Sequence, residues 1–268
     1  MTTLYNFSGA DGDSPMAPMI LASDGNFYGI TQNGGPNNSG TIFKVTPNGT
    51  LTTMHTFGAG DGTYSTGPLV QASDGNFYGT TELGGTGSGS IFKMTMSGNF
   101  RVFYSFNSTD GSAPASGLVL GTDRNLYGTT YEGGSSTNCP NGCGTVFKIT
   151  TKGTLTTLHN FDLDHGSNPI GGLTLATDGN FYGTTYGGGT SGGWGTVFKM
   201  TASGTVTTLH SFQGTDGAQP YGPVTQSTGG NLHGTATNGT GGASLGTIFD
   251  IFTKSGPVCR LCEQYREG

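Results

Sequence analysis

The chain has 268 residues and a formal net charge of −6, and its ten Lys and Arg residues form no cluster. Nucleic acids and anionic membranes are therefore excluded as expected partners, because both are bound through basic patches. No stretch approaches the roughly 18 apolar residues of a spanning helix, and the first residues show no export signal. Glycine (52 residues) and proline (11) suggest low complexity, but aromatic residues recur in register and argue against disorder.

One motif recurs five times along the chain. It begins with Asp-Gly-Asn-Phe-Tyr-Gly or a weaker copy and continues, after a glycine-rich stretch, to Gly-Thr-Ile/Val-Phe-Lys or a near copy. The first part lies at Asp24–Gly29, Asp74–Gly79, Asp123–Gly128, Asp178–Gly183 and Gly229–Gly234. The second part lies at Gly40–Lys44, Gly89–Lys93, Gly144–Lys148, Gly195–Lys199 and Gly246–Asp250. The spacings of 49, 55, 51 and 51 residues between successive copies of the second part indicate a repeat architecture.

Each repeat is predicted to contain four short antiparallel strands, which we call a, b, c and d in chain order. In the fourth copy, strand a alternates apolar and polar residues, and the hairpin signal Asp178-Gly179 separates it from strand b. A glycine-rich loop precedes strand c, and a tight turn leads to strand d. The four strands are expected at Gly172–Thr177, Phe181–Thr185, Thr196–Thr201 and Thr205–Phe212. Four antiparallel strands in about 50 residues are typical of a β-propeller blade.

The two ends of the repeat region predict how a ring of blades closes. The chain begins with a d-type strand at residues 2–7, and the last repeat ends after a c-type strand, Thr247–Phe252. We therefore expect an all-β, five-bladed β-propeller over residues 1–252 in which the N-terminal strand completes the last blade and removes an unpaired edge. The blades are predicted at residues 12–57, 62–106, 111–161, 166–212 and 217–252 plus 2–7. Residues 253–268 form a C-terminal tail without an assigned structure.

The repeat resembles a known bacterial family. The pattern D-G-N-F-Y-G-T-T, then G-T-V-F-K and L-x-x-L-H-x-F, covers nearly all of residues 1–252 and is similar to the GloVer tandem repeat. The resemblance implies a propeller-like protein that is secreted or anchored at the cell surface. It implies no activity, because the family is defined by its repeat and carries no shared catalytic residues. Residues 254–268 do not match.

The four cysteines form two local pairs, Cys139/Cys143 and Cys259/Cys262. Two local disulfides or free thiols are expected, since no histidine accompanies either pair and the pairs lie in different parts of the repeat. A four-thiolate zinc site is the alternative.

The b–c loops are long and form the variable rim of one face, where binding residues are expected to concentrate. Tyr131, Tyr186 and Trp194 lie in these loops and suit stacking on a sugar ring, although Trp194 could instead pack on the neighbouring blade. Glu82 and Glu132 lie on adjacent b–c loops, and a pair of carboxylates across a cleft is what a glycosidase requires. The alternative is that both are solvated rim residues.

The d–a loops share this face and place an equivalent residue four positions after the last Phe of strand d. This residue is followed by Gly in every copy and is Asp11, Asp61, Asp110, His165 or Asp216. The four aspartates are expected either to bind ligand or to cap their own turns, which Asp-Gly favours. His165 breaks the pattern and follows Asp164, so it is a candidate general base with Asp164 as its partner. A tolerated surface substitution is the alternative.

These observations favour an exported ligand-binding propeller, with a glycan or another small molecule as the partner. One alternative is a hydrolase or polysaccharide lyase that uses His165, Asp164, Glu82 and Glu132. Another alternative is a structural or adhesion repeat protein. No resident metal is assigned and no cofactor is expected to be required, although a divalent metal could assist the enzyme. Neither nucleic-acid binding nor membrane insertion is expected, and the oligomeric state is not predicted.

Overall fold

The structure, a computed structural model, describes residues 2–190, 192–239 and 245–252, together with the backbone of 259–261. The described residues form five antiparallel four-stranded sheets and contain no helix. Each sheet is built from four strands that are consecutive in the chain, and we number the sheets 1 to 5 in chain order. In the described part of the chain, no helix is long and apolar enough to cross a membrane.

The strand bounds follow the repeat. Sheet 1 contains β1 (Ile20–Leu21), β2 (Phe27–Thr31), β3 (Thr41–Val45) and β4 (Leu51–Thr56). Sheet 2 contains β5 (Val70–Gln71), β6 (Phe77–Thr81), β7 (Ser90–Met94) and β8 (Phe100–Ser105). Sheet 3 contains β9 (Val119–Leu120), β10 (Leu126–Thr130), β11 (Thr145–Ile149) and β12 (Leu155–Asn160). Sheet 4 contains β13 (Leu173–Leu175), β14 (Phe181–Thr185), β15 (Thr196–Met200) and β16 (Val206–Ser211). Sheet 5 contains β17 (Thr225–Gln226), β18 (Leu232–Ala236), β19 (Thr247–Ile251) and β20 (Cys259–Leu261).

The Asp-Gly hairpins between strands a and b are held by the aspartate. In sheet 1 the Gly25 N–H donates to the Ala22 carbonyl at 3.0 Å, and Gly25 takes a φ of 78° that glycine adopts without strain. The Asp24 carboxylate accepts the Asn26 N–H at 3.1 Å and the Tyr28 hydroxyl at 3.0 Å. The motif therefore fixes the turn and, through the tyrosine, ties it to strand b.

The core lies between neighbouring sheets and repeats with them. A Phe that ends strand d of one sheet packs edge-on against a Phe of strand c in the next sheet. The pairs are Phe57–Phe92, Phe106–Phe147, Phe161–Phe198 and Phe212–Phe249, with ring centroids 5.2–5.5 Å apart. Gly29 faces the ring of Phe43 so closely that a Cβ would overlap it, which explains the glycine of the repeated Tyr-Gly.

The prediction that residues 2–7 complete the last blade is wrong in its strand pairing. These residues form no strand, and the free edge of β19 is paired instead with β20, through Phe249↔Leu261, Asp250↔Arg260 and Ile251↔Cys259. Because β18 occupies the other edge of β19, β20 takes the only remaining edge and excludes residues 2–7 from it. Residues 2–7 nevertheless occupy the place of a preceding strand d beside sheet 1, since Phe7 packs edge-on against Phe43 at 5.1 Å.

Sheets 1 and 5 each leave exposed an apolar face whose equivalent is buried in the other sheets. Ile248 of sheet 5 is 63% exposed, whereas its four equivalents are fully buried. Met19 of sheet 1 is 48% exposed, whereas its equivalents are at most 5% exposed. The equivalents of Ile248 are Ile42, Ile91, Val146 and Val197, and those of Met19 are Leu69, Leu118, Leu173 and Val224. The described structure therefore shows five sheets but not the contact that would close them into a ring.

Candidate functional site

The d–a and b–c loops lie together at one end of the sheets, as the repeat predicts. Each d–a loop is bridged to the b–c loop of the following sheet, for example through Asp13↔Asn33, Ser112↔Glu132 and Ser167↔Gly187. We call this end the loop face. It consists of the d–a loops (8–16, 58–66, 107–115, 162–170 and 213–221) and the described residues of the b–c loops (32–39, 82–88, 131–143, 186–190, 192–194, 237–239 and 245).

A repeated left-handed residue fixes the first residue of each b–c loop. Ser14, Tyr64, Ala113, Asn168 and Gln219 have φ values of 51–58°. Their carbonyls accept the N–H of the first loop residue, as in Tyr131 N–H to Ala113 O at 2.9 Å and Tyr186 N–H to Asn168 O at 3.0 Å. The backbone of each first loop residue is therefore fixed by a hydrogen bond that any residue type can make, so the side chain can vary between copies. They are Gln32, Glu82, Tyr131, Tyr186 and Thr237.

Three tyrosines from sheets 3, 4 and 5 come together on the loop face. The rings of Tyr186 and Tyr221 meet edge-on with centroids 6.4 Å apart. Burial raises the pKa of Tyr131, and the nearby Glu132, Tyr186 and Tyr221 raise it further. Asn168 is attached to this group, because its side-chain amide donates to the Tyr131 carbonyl at 3.0 Å. We call Tyr131, Tyr186 and Tyr221 the tyrosine cluster.

Tyr221 was missed by the sequence reasoning. It is 56% exposed and lies in the d–a loop, one residue after Pro220. Its equivalents in the other copies are Met16, Thr66, Ala115 and Ile170. The signal that could have found it was therefore present: it is the only aromatic residue at this position among the five copies.

Trp194 is 41% exposed and lies beside the d–a loop that follows sheet 4. A Cβ on Gly214 would lie 3.3 Å from the Trp194 indole, so the absence of a side chain at Gly214 makes room for the ring. In the part of the chain that the structure describes, the ring of Trp194 does not contact the ring of Tyr131 or of Tyr186. The structure thus brings the two predicted tyrosines together and leaves the predicted tryptophan with a different loop.

Glu82 and Glu132 do not occupy equivalent positions. Glu82 is the first residue of its b–c loop, whereas Glu132 is the second residue of the next one. Glu82 accepts a hydrogen bond from the Thr66 hydroxyl at 3.1 Å, and burial raises the pKa of its carboxyl. Glu132 accepts one from the Asn141 amide at 3.2 Å. The two carboxyl groups have separate partners, so their predicted role as a catalytic pair stays a prediction.

The four loop aspartates each accept hydrogen bonds within their own d–a loop. Asp61 and Asp216 accept the N–H three residues earlier at 2.9 and 2.7 Å, and they lie 3.0 and 2.7 Å from the ring nitrogens of His55 and His210. Asp110 accepts the Tyr104 hydroxyl at 2.5 Å, and Asp11 accepts the Tyr5 hydroxyl. The repeated aromatic of strand d is therefore the partner of the loop aspartate. Ligand binding by Asp11, Asp61, Asp110 and Asp216 stays a prediction.

His165 is held by a different carboxylate from the one predicted. Its Nδ1 lies 2.9 Å from Oδ2 of Asp162, and its backbone N–H donates to the same carboxylate at 2.9 Å. Although burial acts to raise the pKa of Asp162, the hydrogen bonds from His165 hold it below its usual value. Asp164 takes no part in this pair. The imidazole of His165 is largely exposed, with 59% of its side chain accessible.

The local disulfide between Cys139 and Cys143 is confirmed. It closes the b–c loop of sheet 3, and it rules out the alternative zinc site because both sulfurs are already bonded. The side chain of Cys259 and all of Cys262 lie outside the described residues. Among the side chains that the structure describes, no three His, Cys, Asp or Glu residues converge as a metal-binding group. A divalent metal therefore has no described ligand set here.

The fold is similar to that of several solved bacterial proteins at low sequence identity. The extracellular domain of a one-component system of B. thetaiotaomicron matches with a TM-score of 0.61 and 10% identity, over 97% of this chain and 29% of that one. A gluconolactonase of Xanthomonas campestris matches with a TM-score of 0.57 and 11% identity, over 94% and 77%. An auxiliary nutrient binding protein of Bacteroides ovatus matches with a TM-score of 0.50 and 12% identity, over 89% and 53%. These likenesses concern the fold alone.

A search of curated protein sequences found no match. The sequence profile of the Gloeobacter/Verrucomicrobia repeat matches residues 1–139 and 136–265, and so covers most of the chain. This confirms the resemblance drawn from the repeated motif. The chain belongs to the Gloeobacter/Verrucomicrobia repeat family.

Proposed function

We propose that this protein is an exported β-propeller of five blades that binds a glycan through its loop face. The tyrosine cluster is the observation that carries the proposal. Tyr186 and Tyr221 offer aromatic surface on the face where loops vary between copies, and Tyr221 is more than half exposed. Aromatic rings with a polar end suit a ligand that is apolar on one face and hydroxylated at its edge.

The surroundings of the cluster supply hydrogen-bonding groups for such a ligand. Glu132 and Asn141 lie beside Tyr131 in one b–c loop, and Glu82 occupies the equivalent position to Tyr131 in sheet 2. A sugar ring stacked on the tyrosines could place its hydroxyls against these carboxylates and amides. The names of similarly folded proteins, a gluconolactonase and a nutrient binding protein, support a small polar ligand for this fold.

An array of neutral, acidic and amino-containing glycans tests the proposal directly. We expect binding by the wild-type protein and a loss of roughly tenfold or more for Tyr221→Ala and for Tyr186→Ala, because each removes a stacking surface. Leu83→Ala is the matched control, since Leu83 is also half exposed on the loop face but belongs to the b–c loop of sheet 2. Weaker glycan binding by Trp194→Ala would show that the site extends to the d–a loop beside Trp194. Equal binding by Tyr221→Ala and Leu83→Ala would contradict the proposal.

Closure of the five sheets into a ring is part of the proposal. The apolar faces of sheets 1 and 5 are the two halves of an interface that the chain forms four times elsewhere. Phe7 already lies on Phe43 as the last Phe of a preceding sheet would. The edge of β19 plays no part in this contact, which involves the faces of the two sheets.

An extracellular or cell-surface location is also proposed. The Cys139–Cys143 disulfide supports it, since disulfides persist in oxidising compartments. The low content of charged residues, 10% of the chain, agrees with a surface covered by Thr, Ser, Asn and Gly.

A hydrolase is the second candidate, and the His165–Asp162 pair favours it. A carboxylate bound to one imidazole nitrogen orients a histidine that acts as a general base through the other. A broad panel of chromogenic esters, lactones and glycosides tests this activity. Turnover that falls by about 10²-fold or more in His165→Asp supports the enzyme, and unchanged turnover removes His165 from the site.

A further inference from the structure

Charge is divided unequally between the two ends of the molecule. The loop face carries nine of the sixteen carboxylates: Asp11, Asp13, Asp61, Glu82, Asp110, Glu132, Asp162, Asp164 and Asp216. None of the ten Lys and Arg residues falls in its loops. Seven lie in strands c and d or in the turns at the other end, where Lys93 and Lys199 pair with the hairpin residues Asp74 and Asp178. The remaining three belong to residues 253–268, whose side chains lie outside the described part.

The tyrosine cluster lies on this acidic face, where Asp61, Asp162 and Asp216 pair with histidines but no loop residue is Lys or Arg. Glu132 follows Tyr131 in the chain, and its carboxylate acts on Tyr131 electrostatically. The loop aspartates accept hydrogen bonds from their own loops, and their charge still contributes to the electrostatic potential at this face. A cation near the cluster would be attracted both by the faces of the aromatic rings and by these carboxylates.

Anionic ligands face the opposite situation. A uronic acid or a sulfated sugar is usually held by Arg or Lys, because these side chains supply charge-assisted hydrogen bonds. The loops of the loop face contain neither residue. A carboxylate brought to the tyrosine cluster would therefore meet like charge without a partner.

We propose that the tyrosine cluster selects glycans that carry positively charged amino groups, such as chains of glucosamine. This inference rests on the proposed glycan-binding function and adds the chemical class of the ligand. The sugar ring stacks on Tyr186 and Tyr221, and the ammonium group lies between the rings and Glu132. N-acetylation removes the positive charge and with it the electrostatic part of the attraction.

Calorimetric titration with three hexamers tests the inference: glucosamine, N-acetylglucosamine and galacturonate. At about 25 mM salt and pH about 6 we expect the glucosamine hexamer to bind roughly fivefold to tenfold tighter than the acetylated one. The galacturonate hexamer should not bind. At about 500 mM salt the preference should shrink towards parity, because screening weakens the long-range attraction.

Variants separate selection at the site from general attraction to an acidic surface. Glu132→Lys should abolish the preference for the glucosamine hexamer, whereas Lys152→Glu, in an exposed turn at the other end, should leave the ratio unchanged within about twofold. Tyr221→Ala should weaken both amino-sugar hexamers. Glucosamine binding that survives Tyr221→Ala and Tyr186→Ala would overturn the inference, because the attraction would then be unspecific.

The remaining outcomes distinguish the inference from the function on which it rests. Equal or tighter binding of the N-acetylglucosamine hexamer, or clear binding of galacturonate, overturns the charge selection and leaves glycan binding intact. No binding of any hexamer, together with a blank glycan array, overturns both.

Discussion

The carboxylate of Asp162 binds His165, and this pair reverses the arrangement found in the other four d–a loops. In those loops the residue equivalent to His165 is an aspartate that accepts hydrogen bonds from the loop backbone and from the aromatic of strand d. Here the carboxylate is three residues earlier, and the aromatic of strand d, His159, is left with its Nε2 buried and unpartnered. As a result, His165 is exposed at the loop face, and the buried His159 lacks the hydrogen bond that an aspartate makes to the strand-d aromatic in the other loops.

The double variant Asp162→Gln/His165→Asp introduces the two residues that the d–a loop after sheet 4 has at these positions, Gln213 and Asp216. The new carboxylate should reach His159 Nε2 as Asp216 reaches His210, so we expect the free energy of unfolding to rise by about 1–2 kcal/mol. Chemical denaturation at neutral pH measures the change. His165→Asn is the matched control without a charge, and a double variant no more stable than this control would contradict the explanation.

A second prediction concerns the pH response of the same histidine. Burial lowers the pKa of His159, because the charged imidazole has no partner and is taken from water. The unfolded chain therefore binds a proton before the folded one does, and stability should fall as the pH drops below the ordinary histidine range near 6.5. The double variant should lose this decrease between about pH 6.5 and 5. A denaturation series over this range, with an identical slope in both proteins, would exclude His159 as its source.

Leu163 is strained, and glycine should relieve it. Its φ is 75°, where the equivalent Gly214 has 78°. A left-handed conformation costs a side-chain-bearing residue about 1–2 kcal/mol. The substitution removes this cost, but glycine also loses more conformational entropy on folding, which offsets part of the gain. We expect Leu163→Gly to raise the free energy of unfolding by up to about 1 kcal/mol. Leu163→Ala keeps the strain and serves as control, and equal stabilities of the two variants would refute the argument.

Most of the fold could be predicted from the sequence, because the residue patterns of the strands and turns recur in each repeat. The b–c loops could be predicted as positions shared by all copies, and the hairpin aspartates as positions shared by four of them. The loop aspartate that meets the aromatic residue of strand d also recurs in four loops and is replaced by His165 in the fifth. The pairing of β19 could not be predicted, since it depends on competition between residues 2–7 and 259–261 for one edge, and only the first resembles a strand d. The site was half predictable: Tyr131 and Tyr186 stood out, but grouping them with Tyr221 required knowing that two different loops meet.

The disulfide should stabilise the protein only modestly. Cys139 and Cys143 close a loop of a few residues, which restricts the unfolded chain little, so we expect Cys139→Ser/Cys143→Ala to cost about 2 kcal/mol or less. Alanine is chosen at Cys143 because that side chain is fully buried. Denaturation of the wild type with and without reductant gives an independent measure. Mass spectrometry that finds free thiols at Cys139 and Cys143, in protein prepared without reductant, would contradict the bridge itself.

Asp74 should make the hairpin of sheet 2 sensitive to acid. Although burial acts to raise it, hydrogen bonds from Lys93, Asn76 and Tyr78 lower the pKa of Asp74 to about 2 from 3.8. Its folded pKa is depressed, so its contribution is complete above the unfolded value and is lost as the pH falls towards 2. Asp74→Asn should therefore cost about 1–2 kcal/mol at neutral pH, after allowing for partial exposure. The difference from wild type should shrink between about pH 4 and 2, and a constant difference would contradict the assignment.

The last prediction tests whether sheets 1 and 5 meet. In each of the four buried interfaces, the equivalents of Ile248 and Met19 belong to one apolar cluster, as Ile42 and Leu69 do between sheets 1 and 2. If the ring closes by the same packing, cysteines at these two positions lie within reach of each other. In a protein that also carries Cys259→Ser and Cys262→Ser, we expect Met19→Cys/Ile248→Cys to form an intramolecular disulfide under mild oxidation.

That bridge would join residues far apart in the chain, so it should raise the free energy of unfolding by about 3–5 kcal/mol. Non-reducing electrophoresis and mass spectrometry identify the bridge. Thr52→Cys/Ile248→Cys is the matched control, because Thr52 is exposed on strand β4 of sheet 1 and none of its equivalents, Arg101, Thr156 and Thr207, belongs to an apolar cluster. Free thiols in the test pair, or bridges that link two molecules, would mean that the apolar faces are not covered by each other. Their exposure, 63% for Ile248 and 48% for Met19, would then have to be explained by another partner.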